Sequence, residues 1–200
     1  MALTRLASLA VFLAFGVLAP AYTAHAQDSV EWSYEGATGP ANWGSLSPAF
    51  RTCGEGSRQS PIDLRGAARR PADRIRTTYS PSAFTQLHNG ETVEVRSDLA
   101  QTLLVGDKRY SLVQFHVHSP AEHTVAGALA PLEIHFVHQA ADGERAVLGA
   151  LARVGRDNPA FGLLAGSSPR TAGDETRVDV PVDLRRLLPA SAAPTATRAR

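Results

Sequence analysis

The chain has 200 residues, of which 20 are Lys or Arg and 19 are Asp or Glu, so its formal net charge is +1. This length suits one domain with a core of its own. The near-zero net charge gives no indication of electrostatic binding to nucleic acid or to an anionic membrane surface. Chemistry on a small molecule is therefore the favoured class of function.

The N-terminal segment has the pattern of a secretory signal peptide. A basic residue, Arg5, precedes a mostly apolar run without charges, and Ala24 to Ala26 reads A-x-A, a cleavage pattern. A retained membrane anchor is the alternative, because the run nearly reaches the ~20 residues that a spanning helix needs, but Pro20 and the small residues favour cleavage. We expect residues 1–26 to be removed and the mature protein to be periplasmic or secreted.

The mature chain reads as β-rich. Residues 27–80 are rich in Gly, Pro and Ser and predict a loop-rich segment. Residues 84–153 contain short alternating runs bounded by turn signals: ETVEVRS, QTLLVG, KRYSLVQFHVHS, PLEIHFVHQA and RAVLGALARVG. Beyond Asn158 we expect a short helix at NPAFGLLAG, a strand around TRVDVPVDL, and a tail, PASAAPTATRAR, without regular structure.

Five of the seven histidines fall between residues 116 and 138. On a strand, residues two apart share a face, so His116 and His118 point the same way. If the strand that contains His135 is an antiparallel neighbour, joined through residues 119–131, three imidazoles can converge on one point.

Three neutral nitrogen ligands on a rigid sheet suit Zn²⁺ with an open fourth position, as in catalytic zinc sites. Ligating imidazoles need their second ring nitrogen hydrogen-bonded, and Gln114 and Glu133, each two residues from a predicted ligand, are placed to accept such bonds. The alternative is a set of ordinary half-buried strand histidines. It is disfavoured because three of the histidines are predicted to lie on the same face of the sheet. His123 and His138 lie outside this set and are predicted to be hydrogen-bonded structural residues.

A series of motifs extends from about Trp32 to Leu188: WSYEGATGPANWG, CGEGSRQSPIDL, NGETVEV, YSLVQFHVHSPAEHTVAG, PLEIHFVH and AVLGALARVGRDNP. In order and spacing they resemble the α-class carbonic anhydrases, zinc enzymes that interconvert carbon dioxide and bicarbonate. The resemblance implies a mixed, mainly β domain over residues 27–193, with a twisted, mostly antiparallel central sheet and short peripheral helices. It also implies that this domain is incomplete, with the C-terminal strands of the family missing. It also implies attack of zinc-bound hydroxide on carbon dioxide, and inhibition by sulfonamides or anions.

The resemblance also implies roles for single residues. The three converging histidines would be the zinc ligands, with Gln114 and Glu133 as their hydrogen-bond acceptors, in agreement with the parity. Glu122 would accept a hydrogen bond from a threonine hydroxyl that orients the zinc hydroxide. Val137 and Val147 would line the carbon dioxide pocket.

The proton path is a departure from the family. Tyr34 and Asn89 would support its ordered water chain, but Glu91 stands where many members carry a shuttle histidine. The pKa of an unperturbed glutamate is about 4.3, so this residue should relay protons poorly at neutral pH. Turnover would then depend on buffer or on nearby His88, for which a surface turn residue is the favoured interpretation.

A second departure concerns the C-terminal part. The family continues with a segment resembling YYRYxGSLTTPPC, which would carry the threonine partner of Glu122 and a partner for Cys53, the only cysteine of the chain. One encoding of PTATRAR, read in another frame, gives Tyr-Arg-Tyr-Ala-Gly-Ser. We hypothesise a truncation or frameshift after about Ala193 that makes residues 194–200 an aberrant tail; a genuine short tail is the alternative.

Two other functions stay open at this stage. A crippled or vestigial member would bind zinc without activity, because the threonine segment is absent. A cupin-like jelly roll would use the spacing H-x-H-x₃-E, with Glu122 as a fourth ligand to iron or manganese, although the surrounding motifs argue against it.

Overall fold

The computed structural model describes residues 30–65, 75–188 and 195–199, the last of these by its backbone only. The predicted signal peptide lies outside the described residues. Of the described residues, those up to Glu55 belong to one compact unit and those from Gly56 onward to another. None of the described helices is long and apolar enough to cross a membrane.

The first unit contains short helical segments, which the loop-rich prediction for residues 27–80 did not include. Its rings of Trp32, Tyr34 and Trp43 contact one another edge to face, with centroids 5.4 to 5.8 Å apart. Its helices are α1 (Trp43–Leu46) and α2 (Arg51–Glu55), with 3₁₀ turns at Gly36–Thr38, Pro40–Asn42 and Pro48–Phe50.

The alternating runs of the second unit form an antiparallel sheet of nine described strands, in the order β10-β2-β3-β5-β8-β9-β11, with β4 beside β5 and β1 beside β4. A separate hairpin, β6 and β7, lies in the connection from β5 to β8. The bounds are β1 Ile75–Thr78, β2 Ser82–His88, β3 Val93–Ser97, β4 Thr102–Val105, β5 Lys108–His118, β6 Thr124–Val125, β7 Ala128–Leu129, β8 Leu132–Gln139, β9 Arg145–Ala152, β10 Glu175–Val182 and β11 Thr195–Ala199.

Within the described part of the second unit, one helix and one 3₁₀ turn accompany the sheet. Helix α3 (Pro159–Gly166) begins where the Asn158 side chain accepts hydrogen bonds from the backbone N–H groups of Ala160 and Phe161. Such a cap satisfies donors that the first helical turn leaves free, and proline suits the first helical position. The 3₁₀ turn spans Leu184–Leu187.

The hydrophobic core lies on the sheet face opposite the predicted zinc ligands. Phe84, Phe115 and Phe136 are each at most 1% exposed, and the ring of Phe115 lies 5.8 and 5.4 Å from the other two, centroid to centroid. Ala160 and Leu164 of α3 belong to the same buried cluster. Strand parity therefore divides β5 between a packed core and a face available for chemistry.

The predicted mainly β, antiparallel fold is confirmed, as are the helix at α3 and the strand at β10. The jelly-roll alternative is wrong, because β5 and β8 lie at the centre of one large antiparallel sheet. Strands β1 and β2 and the β6–β7 hairpin were not predicted. The sequences of β1, β6 and β7 are too short to show a period, whereas β2 has seven residues with alternating burial. The prediction that the tail lacks regular structure is wrong for residues 195–199, where the backbone of β9 supplies an antiparallel partner.

A buried polar pair accompanies the core. The Tyr79 hydroxyl lies 2.7 Å from Nε2 of His138, which is fully buried. The prediction that His138 is a hydrogen-bonded structural residue is therefore confirmed. Burial raises the pKa of Tyr79 and lowers the pKa of His138 from 6.5 to about 4, because a buried imidazole loses hydration when it gains charge.

Replacing Phe84 by alanine should lower the free energy of unfolding by about 3 to 5 kcal/mol, because a fully buried ring leaves a cavity in a packed core. Urea denaturation measures the change. Val154→Ala is the control: Val154 is 93% exposed, so its loss should change stability by less than about 0.5 kcal/mol. Equal effects of the two substitutions would contradict the assignment of the core.

His138 should make stability depend on pH. Between pH 6.5 and about 4, only the unfolded state binds a proton at this residue, so the free energy of unfolding should fall as the pH is lowered through that window. His138→Gln should remove up to about 1.4 kcal/mol per pH unit of this slope. Urea denaturation of both proteins at several pH values measures it; an unchanged slope in the variant would refute the prediction.

Candidate metal centre

The antiparallel register of β5 and β8 brings the predicted zinc ligands together. His116 lies directly opposite His135, and His118 opposite Glu133. Each of the three histidines offers one ring nitrogen, and these nitrogens all lie within 4.8 Å of one another. The predicted pairing of the two strands is thus observed, with the histidines on a shared face.

Two of the imidazoles have their second nitrogen held by a neighbouring side chain. His116 Nδ1 donates to Gln114 Oε1 at 2.9 Å, and His135 Nε2 lies 2.9 Å from Glu133 Oε1. The hydrogen bond to Gln114 places the proton of His116 on Nδ1. His135 Nε2 makes no hydrogen bond of ordinary geometry with the described residues, but the adjacent Glu133 carboxylate favours a proton on this nitrogen. Nε2 of His116 and Nδ1 of His135 are then the lone-pair donors. Gln114 and Glu133 therefore lie where the sequence analysis expects the two acceptors.

The third imidazole has an orphaned nitrogen. Nε2 of His118 is buried and makes no hydrogen bond with any described residue, although the Glu122 carboxylate lies 3.2 Å away. Buried polar atoms are rarely left without a partner, so one that is aimed at two other lone-pair donors points to an unseen group. A donor set of three imidazole nitrogens fits Zn²⁺.

Burial keeps the imidazoles of His116 and His118 uncharged at neutral pH. It lowers the pKa of His116 to about 4, and the neighbouring His118 and His135 lower it further by charge repulsion. Burial likewise lowers the pKa of His118. Neutral imidazole is the form that binds a metal ion.

Glu122 approaches the same group. Its Oε2 lies 3.2 Å from His118 Nε2 and 3.6 Å from His135 Nδ1, and its side chain is 17% exposed. The carboxylate is therefore within reach of a ligand or water that occupies the centre.

A chain of polar contacts lies behind His135. The backbone N–H groups of Glu122 and His123 donate to Glu133 Oε2, at 3.0 and 2.9 Å respectively. The side chain of His123 donates through Nδ1 to the other carboxylate oxygen, Glu133 Oε1, at 2.7 Å. Nε2 of His123 lies 3.3 Å from the Ser60 hydroxyl. The prediction that His123 is a hydrogen-bonded structural residue is confirmed; the Ser60 contact was not predicted, because the two residues are 63 positions apart.

These contacts fix the charge of Glu133. Burial alone would raise its pKa, but the contacts with His123 and His135 outweigh burial and hold the pKa well below its usual range. Glu133 is thus a buried carboxylate that stays ionised.

A cavity of about 230 Å³ opens beside His135. Val147, one of the two valines predicted to line a carbon dioxide pocket, lines this cavity. Val137, the other, pairs with Val147 across β8 and β9 but is outside the lining. The lining consists of Ser60, Pro61, Leu64, Glu122, His123, Glu133, His135, Val147, Gly149 and Leu151.

The residues predicted for proton transfer lie at the β2–β3 turn. Asn89 Oδ1 accepts hydrogen bonds from the backbone of Glu91 and Thr92, which makes it a turn-forming residue. Glu91 is exposed, and His88 Nδ1 accepts from the Gly90 N–H. Tyr34, predicted for the water chain, belongs to the first compact unit, where it contacts Trp32.

Comparison with known proteins gives one consistent result. The eukaryotic-type carbonic anhydrase family matches residues 38–196. A carbonic anhydrase of Pectobacterium carotovorum is 36% identical over 175 residues, which cover 88% of this chain and 72% of that protein.

Solved structures agree with the sequence match. The α-carbonic anhydrase from Thermovibrio ammonificans, in complex with the inhibitor sulfanilamide, superposes with a TM-score of 0.75 at 35% identity, covering 81% of this chain and 73% of that one. The Photobacterium profundum α-carbonic anhydrase gives a TM-score of 0.72 at 33% identity, with 80% and 73% covered.

Gln114→Ala should raise the zinc dissociation constant roughly 10- to 100-fold, the usual cost of losing the partner of a ligating histidine. Competition with a chromophoric chelator measures the constant. Gln139→Ala is the matched control, because Gln139 is an exposed residue of β8 that donates to the Gly143 carbonyl. Equal zinc affinity in the Gln114 variant and the wild type would argue that the triad is not the metal centre.

Proposed function

Because the chain belongs to the eukaryotic-type carbonic anhydrase family, we propose that it catalyses the reversible hydration of carbon dioxide to bicarbonate and a proton. The observation that carries the proposal is the convergence of His116, His118 and His135, with ring nitrogens within 4.8 Å of one another. Family membership and this triad support the same chemistry.

The three histidines would hold Zn²⁺ through Nε2 of His116, Nε2 of His118 and Nδ1 of His135. Zinc supplies Lewis-acid chemistry, and carbonic anhydrase is itself the standard example of a zinc site that lowers the pKa of bound water to about 7. Three neutral ligands suit this task, because they leave the positive charge of the metal uncompensated.

The remaining residues position the reactants. Gln114 and Glu133 hold the rings of His116 and His135 in their ligating orientations, through the 2.9 Å contacts on the far nitrogens. The carboxylate of Glu122 is suited to accept a hydrogen bond at the centre and so to orient the attacking oxygen. Val147 offers apolar surface on which carbon dioxide displaces water without losing hydrogen bonds.

The product proton must reach solvent. Glu91 is exposed at its turn and stands where many members of the family carry a shuttle histidine. We propose that external buffer carries this step, so that turnover rises with buffer concentration. Export to the periplasm or beyond, which the N-terminal pattern predicts, is part of the same proposal.

A specific observation favours a second candidate, a closed zinc site without activity. In a tetrahedral site with ligands about 2.0 to 2.2 Å from zinc, neighbouring donors lie roughly 3.4 Å apart. Glu122 Oε2 lies 3.2 and 3.6 Å from nitrogens of His118 and His135, so the carboxylate could take the fourth position. The protein would then bind zinc as a structural site does.

Zinc analysis combined with stopped-flow measurement of carbon dioxide hydration distinguishes the two candidates. We expect one zinc per chain and hydration that a sulfonamide inhibits. His118→Ala should lower zinc affinity by more than the roughly 10- to 100-fold expected when a residue that hydrogen-bonds a ligating histidine is lost. Carbon dioxide hydration should be lost together with the zinc. The exposed-site variant Val154→Ala should retain both.

Stoichiometric zinc without hydration would instead support the closed site, and Glu122→Ala should then open it and allow a sulfonamide to bind. A wild-type chain that is folded yet takes up no zinc would refute both candidates.

A further inference from the structure

The carboxylate of Glu133 is buried and surrounded by polar contacts. The residue is 1% exposed, and two backbone N–H groups hold its Oε2. Its Oε1 lies 2.7 Å from His123 Nδ1 and 2.9 Å from His135 Nε2. The carboxylate therefore has polar contacts on several sides and little freedom to move.

The remaining side of this carboxylate is formed by a residue without a side chain. Gly149 of β9 lies directly opposite His135 of β8, on the sheet face that carries the histidines, and it lines the same cavity. A Cβ atom built on Gly149 would lie 3.0 Å from Glu133 Oε1 and 3.9 Å from Cδ2 of His135. The first distance is shorter than an ordinary carbon–oxygen contact.

Backbone conformation does not explain the glycine. Gly149 lies in a regular strand and is not among the glycines with positive φ, so other residues could adopt its backbone angles. Glycine within a strand costs stability relative to a residue with a side chain, and it often marks a close approach of another group. Here the close group is the buried carboxylate.

We propose that Gly149 is a positioning residue for the metal centre: its missing side chain provides the space in which Glu133 orients His135. The inference rests on the proposed function for the identity of the metal. A methyl group at position 149 must displace Oε1, and four polar contacts resist that displacement. Either the carboxylate or the ring of His135 therefore shifts, and the ligand loses its alignment.

Gly149→Ala tests the inference. We expect the zinc dissociation constant to rise roughly 10-fold or more, the range for a disturbed outer contact. The matched control is Gly162→Ala in α3, where a Cβ atom would meet nothing within 4 Å; it should leave zinc affinity unchanged. Equal affinity in the Gly149 variant and the wild type would overturn the inference.

A double-mutant cycle with Glu133→Ala separates positioning from general damage to the strand. If Gly149 acts through Glu133, adding Gly149→Ala to the Glu133→Ala protein should have no further effect on zinc affinity. An equal loss of affinity in both backgrounds would overturn the inference. If Gly149→Ala alone does not fold, the double variant should fold; failure of both would count against the steric contact.

The same double-mutant cycle can be measured as free energies of unfolding of the metal-free proteins in urea. This measurement distinguishes failure of the inference from failure of the proposed function. A wild type that binds no zinc refutes the proposed function. The steric contact would still be supported if Gly149→Ala destabilised the wild type and not the Glu133→Ala protein, and refuted if it destabilised both equally.

Discussion

The antiparallel register between β5 and β8 is the constraint on which the rest of the site depends. With His116 opposite His135, the triad forms without a contribution from any flexible loop. A shift of one residue would turn the histidines of one strand to the opposite face. That shift is opposed from the other side of the sheet, because Phe115 and Phe136 would leave the core where they contact each other. The packed phenylalanines and the histidines are thus held by the same pairing.

Glu133 connects this pairing to the chemistry. It is a buried, ionised carboxylate whose charge is balanced by two backbone N–H groups and by contacts with His123 and His135. Removing such a group from water is costly, and the cost is offset only when every lone pair has a partner. The dense contacts around Glu133 follow from that requirement, and they also make the orientation of His135 rigid. Rigid ligands favour a metal site whose geometry stays constant during turnover.

Much of the fold and the centre of the site could be predicted from local sequence. Alternation indicated the strands around His116 and His135, and the stretch NPAFGLLAG indicated helix α3. Other elements were not predictable in this way. Strand β1 is four residues long, too short to show a period, and residues 195–199 form a strand only because β9 offers its backbone. Edge strands depend on a partner, so local propensity says little about them.

The amino-acid sequence by itself determined which histidines share a face and which neighbours accept their hydrogen bonds, because strand parity is a local property of the backbone. It also determined the family, through motifs in a fixed order. Only the tertiary structure decided the contact of Ser60 with His123, the approach of Glu122 to two ligand nitrogens, and the need for a glycine at position 149. Those features depend on distances between residues far apart in the chain, which are set by strand order and packing rather than by any local pattern.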